Sequence, residues 1–363
     1  MSSICAQATG LDDRLYWEGF SHRVISQRVP FSGSLALTHG CNLRCAHCYA
    51  REERSGPAPS ELDTAQWLRI LAEIKEAGCL YLLLTGGEPL LRHDFPEIYS
   101  FAKKQGFLVT VFSNGTLVSD RIVDVFREFP PRLVEISLYG ASAATHDRVT
   151  GHPGSFARAL QGIEKLLDQG FHVGLKSVLL TLNIAEFSAI EDLARRYGTK
   201  FRIDAAVFPT LAGGLEPLGL RVSPEQAVAI EMSSPERRRE WRQYVDNFRL
   251  VPYGDKAFAC SAGRTNFHVD PDGMLYPCLI ARSCRYSLVT GNFAHGWSHE
   301  IARIREESAD ADFRCRQCEK RLLCGFCPGF FELEHGQSQV PSDYVCAIGE
   351  LRHKYICNER SGG

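Results

Sequence analysis

Fourteen cysteines dominate the chemistry open to this chain of 363 residues, and they are unevenly placed. Five lie in the first 79 residues, nine lie from Cys260 onward, and none falls between Cys79 and Cys260. Cys41, Cys45 and Cys48 form C-x3-C-x2-C. Three closely spaced thiolates can hold three irons of a 4Fe-4S cubane, and without a local fourth cysteine one iron stays open to a small molecule. The same spacing alone would also serve zinc, with His39 or His47 as fourth ligand. A second group starts as C-x12-G-x4-C (Cys260, Gly273, Cys278), continues as C-x2-C-x5-C-x2-C (Cys315, Cys318, Cys324, Cys327) and ends at Cys346, with Cys284 between. Seven grouped thiols are too many for one site, and a zinc ribbon would explain four of them. Cys5, Cys79 and Cys357 fit no pattern and read as inert buried thiols.

The rest of the composition narrows the context. Lys plus Arg number 41 against 43 Asp plus Glu, a formal net charge of −2. With no run of five or six basic residues, nucleic acid is not an expected partner. The N-terminus lacks a basic stretch followed by an apolar one, and no apolar segment is long enough to span a bilayer. A cytoplasmic protein with no membrane partner is expected, and in a reducing cytosol grouped cysteines read as metal ligands rather than disulfides.

These thiols need a scaffold, and residues 34–208 supply a repeating one. Short apolar runs at 34–38, 81–85, 108–113, 133–138, 173–180 and 200–207 read as strands of a parallel sheet buried on both faces. Helices are predicted at 64–77, 95–105, 119–128, 155–169 and 184–197, with Asp63, Asp94, Ser119, Ser155 and Asn183 at their starts and Gly78, Gly106, Gly170 and Gly198 after four ends. Six such units are too few for an eight-stranded barrel. The expected fold is α/β, a partial (β/α)6 TIM-like barrel with a C-terminal cysteine-rich iron-sulfur domain. Its expected parts are an N-terminal extension (1–33), the barrel (34–215), a charged helical bridge (216–257) and the cysteine-rich region (258–363), which has few long periodic segments and a core organised by metal.

The first cysteine loop follows strand one, at the carboxyl end of the sheet where α/β active sites gather. TGGEPLL (85–91) follows strand two, so Gly86 and Gly87 can bring backbone against a ligand while Glu88 offers an acceptor. A bare GGE could be a turn; its register beside the cysteine loop makes the pair specific. In these two motifs the chain resembles the radical S-adenosylmethionine (SAM) enzymes, over about residues 34–208. The resemblance implies that Cys41, Cys45 and Cys48 hold the catalytic 4Fe-4S cluster, and that SAM chelates its open iron and is cleaved reductively to methionine and a 5′-deoxyadenosyl radical. By position, His47 would lie near adenine, and Gly86, Gly87 and Glu88 would receive the amino group. Ser137 matches a strand-four serine that contacts SAM, and Asn114 is a further pocket residue. Related enzymes often place an arginine after a His-Asp pair to meet the SAM carboxylate. Here HDRVTG puts Thr150 in that place with Arg148 nearby, so Lys176 on strand five competes for the role. For Asn114, Ser137 and Lys176 the alternative is a strand-end polar group satisfied by backbone.

The second cysteine group resembles the SPASM extension of radical SAM enzymes, which implies two auxiliary iron-sulfur clusters of the 4Fe-4S type. In that pattern Cys260, Cys278 and Cys327 serve an inner cluster, and Cys315, Cys318, Cys324 and Cys346 an outer one. The last central spacing is x2 where x3 is commoner, which bears on Cys327. Cys284 would complete the inner cluster, or else leave it an open iron. The implied activity is anaerobic hydrogen abstraction from a peptide or protein side chain, giving oxidation, a thioether or a carbon-carbon crosslink, with a reductant such as flavodoxin or ferredoxin. Sulfatase-maturing relatives carry an aspartate after the G-x4-C cysteine, where this chain has Leu279. The expectation from the roughly 33 residues before strand one is that they are too few for a leader-binding domain, leaving a separate carrier protein or a small-molecule cofactor precursor as options. An iron-sulfur electron-transfer protein or a zinc-dependent binding module are the readings of other classes.

Overall fold

The computed structural model describes residues 13–50, 60–248 and 255–358; Cys5 and the side chain of Cys357 lie outside these. After helix α1 (Asp13–Ser26), six strands alternate with helices: β1 (Ser32–Ala36), α2 (Thr64–Glu76), β2 (Tyr81–Thr85), α3 (Phe95–Lys104), β3 (Leu108–Ser113), α4 (Asp120–Glu128), β4 (Leu133–Ser137), α5 (Ala143–Thr150), α6 (Ser155–Asp168), β5 (Val173–Val178), α7 (Phe187–Arg196) and β6 (Lys200–Asp204). Asp63 starts α2 through a reciprocal capping box with Gln66, and Ser119 caps α4. Leu35, Leu82, Leu84, Val109, Val111, Ile136 and Leu175 bury the strands against Trp67, Ile70, Tyr99 and Phe126 of the helices.

Two expectations change. The run at 200–207 is not apolar on both faces: β6 alternates Lys200, Arg202 and Asp204 on its exposed face with Phe201 and Ile203 half-buried, as suits an edge strand. HDRVTG is helical, capped by Ser142 and ended by Gly151 in the left-handed region; the pattern was too short for its period to register in the sequence.

The sheet runs β6-β5-β4-β3-β2-β1 in parallel, so β6 is an edge and the six units form an open, partial barrel. On its far side β1 pairs in parallel with β7 (Asn266–Val269), followed by antiparallel β8 (Met274–Tyr276) and β9 (Tyr286–Ser287). The sheet therefore continues into the cysteine-rich region. Gly33 makes this possible, because a Cβ there would stand 2.1 Å from Phe267 Cζ. Helices α8 (Pro224–Ser233) and α9 (Pro235–Phe248) form the bridge. Beyond β9 come α10 (Phe293–His295), α11 (Arg321–Cys324), α12 (Pro328–His335) and α13 (Asp343–Asn358). At 16 residues α13 is longer than the turn-rich reading allowed. A buried bidentate pair, Arg352 Nε to Glu231 Oε2 at 2.7 Å and Nη2 to Oε1 at 2.6 Å, ties it to α8. Among the described residues no helix is long and apolar enough to cross a membrane.

Gly33→Ala is expected to cost ~2 kcal/mol or more by overpacking the β1–β7 seam, read as a lower midpoint in chemical denaturation of the purified protein.

Candidate active site

A cavity of about 750 Å³ opens where the carboxyl ends of the barrel strands meet the loops, and Cys41, Cys45 and Cys48 all line it. The cysteine loop is stitched on both sides. Gly87 N–H donates to Thr38 O at 2.7 Å and Glu88 N–H to Gly40 O at 2.9 Å. On the other side Arg44 and Ala46 N–H donate to the Thr150 and Val149 carbonyls that end α5. Gly86 and Gly87 permit this approach: Gly86 has φ +145°, and a Cβ on Gly87 would lie 2.3 Å from Gly40 O.

Among the described cysteines all are free thiols. Burial, then the neighbouring Cys48 and Cys41, push the Cys45 thiol up to about 12. Burial likewise raises Cys41, with Glu88 and Cys48 adding to it. The three thiols thus act on one another through space while lining one cavity. Burial holds His47 down at about 4, hence neutral; its ring packs edge-on to Tyr139 at 4.6 Å and its Nδ1 has no partner.

Glu88 departs from expectation. Fully buried, it does not line the cavity, and its carboxylate accepts from Ser113 Oγ (2.8 Å), Asn114 N–H (2.7 Å) and Leu90 N–H (3.2 Å). Burial pushes it up to about 7 against those donors. Its work is to tie the β2 loop to the end of β3, leaving the Gly86 and Gly87 backbone to face the cavity. Asn114 does line the cavity, its Nδ2 held by Asn42 Oδ1 at 2.9 Å.

Arg148 also departs: it is not in the cavity wall, and its Nη2 donates to Leu182 O at 2.6 Å. The neighbouring His-Asp pair is structural, with Asp147 accepting from Gly154 N–H, Ser155 Oγ and Phe156 N–H at the start of α6. Lys176 and Ser137 pair across β4–β5 and both line the cavity. Lys176 Nζ lies 3.2 Å from the Phe112 ring centroid and 3.8 Å from Glu135 Oε2. Burial lowers it to about 7, opposed by Glu135. Arg202 grips Glu135 at 2.6 Å and, with Asp204, completes this wall. Sequence reasoning passed over Glu135, Arg202 and Asp204; the available signal was a lone charged residue at alternate positions of apolar strands.

The C-terminal thiols fall into separate sets. Cys315, raised to about 11, and Cys324, raised to about 12, are pushed up by burial and then by Cys346, with Cys318 also acting on both. Cys327 is pushed up to about 12 by burial, with Cys278 and Cys260 adding to it. Cys284 stands with Arg303, Glu307 and Glu332, although it packs on the same apolar cluster as Cys278. Tyr49, next to Cys48, meets Phe208 at 6.4 Å, which meets Phe330 of α12 at 5.1 Å. The aromatic contacts thus run from the first cysteine loop to the helix that Cys327 begins.

The radical SAM superfamily profile matches residues 35–195. Over 306 residues the chain is 32% identical to the mycofactocin maturase MftC of Mycobacterium ulcerans, covering 80% of each chain. Over 315 residues it is 32% identical to the AdoMet-dependent heme synthase of Oleidesulfovibrio alaskensis, again 80% of each. Its fold is similar to that of Streptococcus suis SuiB solved with the precursor peptide SuiA, with a TM-score of 0.69 at 14% identity, covering 95% of this chain and 83% of that one. Likeness of this extent, joined to thiols gathered after β1 and again beyond β7, means that the chain belongs to the radical SAM superfamily and to its members with a SPASM extension.

Proposed function

We propose that the chain is a radical SAM oxidoreductase that modifies a peptide or protein side chain. The observation that carries this reading is the convergence on one cavity of three free thiols, the Gly86–Gly87 backbone, Ser137 and Lys176. The donor set fits an iron-sulfur cluster, since three free thiols lining one cavity can hold three irons of a cubane and leave the fourth open. Cys41, Cys45 and Cys48 would hold the catalytic cluster; Cys260, Cys278 and Cys327 an inner auxiliary one that Cys284 would complete or leave with an open iron; and Cys315, Cys318, Cys324 and Cys346 an outer one. When bound, the catalytic cluster and SAM supply reductive cleavage to methionine and a 5′-deoxyadenosyl radical that removes a substrate hydrogen.

The chain's own residues bind and orient. Backbone carbonyls of Gly86 and Gly87 accept from the SAM amino group, and Lys176 meets the carboxylate in place of the arginine that Thr150 replaces. Ser137 and Asn114 offer hydrogen bonds, and neutral His47 faces the adenine side. Arg202 and Asp204 present charge of both signs to the substrate. The substrate class is supported by the peptide bound to SuiB and by the maturase MftC, with flavodoxin or ferredoxin as reductant and a carrier protein delivering the peptide. A small-molecule substrate is the second reading, favoured by equal identity to a heme synthase.

Anaerobic incubation of the iron- and sulfide-reconstituted protein with SAM and dithionite should yield 5′-deoxyadenosine and methionine. The Cys41→Ala, Cys45→Ala, Cys48→Ala triple variant should lose both products and roughly a third of the iron; iron-replete wild type that forms neither product overturns the enzymatic reading. Stimulation of 5′-deoxyadenosine release by a peptide or by a porphyrin separates the substrate classes.

Lys176→Met should weaken SAM binding about 10- to 100-fold in anaerobic calorimetry, the worth of one charged hydrogen bond, while Arg148→Met leaves it nearly unchanged. In the wild type, affinity should fall as pH rises through about 7, where the free lysine sheds its proton; Lys176→Arg should abolish that dependence.

A further inference from the structure

A charged network outside the SAM cavity stands beside the inner cysteine set. His268 on β7 is fully buried; its Nδ1 lies 2.7 Å from Ser34 Oγ of β1 and its Nε2 3.0 Å from Asp270 Oδ1. The second oxygen of Asp270 receives Arg282 Nη2. Arg282 Nη1 donates to Leu279 O at 3.1 Å, and its Cζ lies 3.8 Å from the Tyr276 ring centroid. The guanidinium is thus held by a carboxylate, a carbonyl and an aromatic face. The turn that carries it begins at Cys278, whose Sγ accepts Ala281 N–H at 3.3 Å. Thiol and cation occupy the two ends of one five-residue turn.

We propose that Arg282, anchored on Asp270, is a positioning residue that raises the reduction potential of the inner auxiliary cluster. The inference rests on the assignment of Cys260, Cys278 and Cys327 to that cluster in the preceding reading. One-electron reduction adds negative charge, which a fixed nearby cation stabilises and an anion opposes. Arg282 is fixed at the other end of the turn that begins at the ligand Cys278, its Nη1 bonded to the Leu279 carbonyl of that same turn. Asp270 is pushed up by burial, but the hydrogen bond and charge of His268 and those of Arg282 hold it below the ordinary carboxylate range, so it is an anion facing a cation. The pair sits in the wall of a smaller cavity of about 150 Å³ that also touches Gly86, Gly87 and Tyr49. It therefore lies between the SAM loops and the Cys278 turn.

The two charges act with opposite sign, which a merely structural role would not. Removing Arg282 leaves Asp270 uncompensated and lowers the potential; removing the Asp270 charge leaves Arg282 uncompensated and raises it. The test is an electron paramagnetic resonance redox titration of the anaerobically reconstituted full chain, following the signal that Cys278→Ala alters. The expected result is a lower midpoint in Arg282→Gln, a higher one in Asp270→Asn and a value near wild type in Arg282→Lys, with the outer-cluster signal and iron content unmoved. Should Arg282→Gln fail to hold iron at this site, the direction of the Asp270→Asn shift decides. Unmoved midpoints, or shifts of both in one direction, with iron intact, overturn this proposal alone. Wild type that takes up zinc but no iron overturns the cluster assignment and this proposal with it.

Discussion

Strand β1 is hydrogen-bonded on both edges, to β2 and to β7, and this double pairing joins the barrel sheet to the cysteine-rich region. The loop after β1 carries Cys41, Cys45 and Cys48. On the far side, the antiparallel β7–β8 hairpin sets Cys260, which precedes it, beside Cys278, which follows it. Phe267 fills the seam where Gly33 has no side chain. A bulkier residue at position 33 would push β1 and β7 apart.

The strands hold their carboxyl ends rigidly enough for loops to be stitched at backbone precision. The cysteine loop bonds the GGE loop on one side and the end of α5 on the other, so no thiol depends on side-chain contacts alone for its place. Glu88, buried under this loop, shows how a charged group can serve position: its three donors come from β3 and its own turn. The same principle recurs in the bridge, where the buried Arg352–Glu231 pair docks α13 on α8. That contact sets Cys346 over α11 and Cys324, with Gly349 giving the room.

Electrostatics explains why so many cations line these walls. Crowded, buried thiols raise one another's pKa, and arginines oppose this: Arg314 acts on Cys315 and Cys346, and Arg282 on Cys278. In the barrel one carboxylate, Glu135, faces both Lys176 and Arg202 where three strands meet. A wall carrying both signs suits a zwitterionic ligand beside a polar substrate.

Much of this was legible in the chain. All six barrel strands and the helices between them other than α5 lie close to their expected positions because the units are locally consistent, with an apolar run and a polar residue at the helix start. The C-x3-C-x2-C and GGE motifs needed only the strands they follow to acquire a joint meaning. What sequence could not reach lies across long separations. That β7 would extend the barrel sheet, and that Glu88 would turn inward and Arg148 outward, depend on pairing and packing between residues up to hundreds of positions apart. Which side chains are available for chemistry can be read along the chain, since spacing and local period are properties of neighbours. Which of them share a cavity is set by the packed fold, because burial and charge act through space and not along the chain.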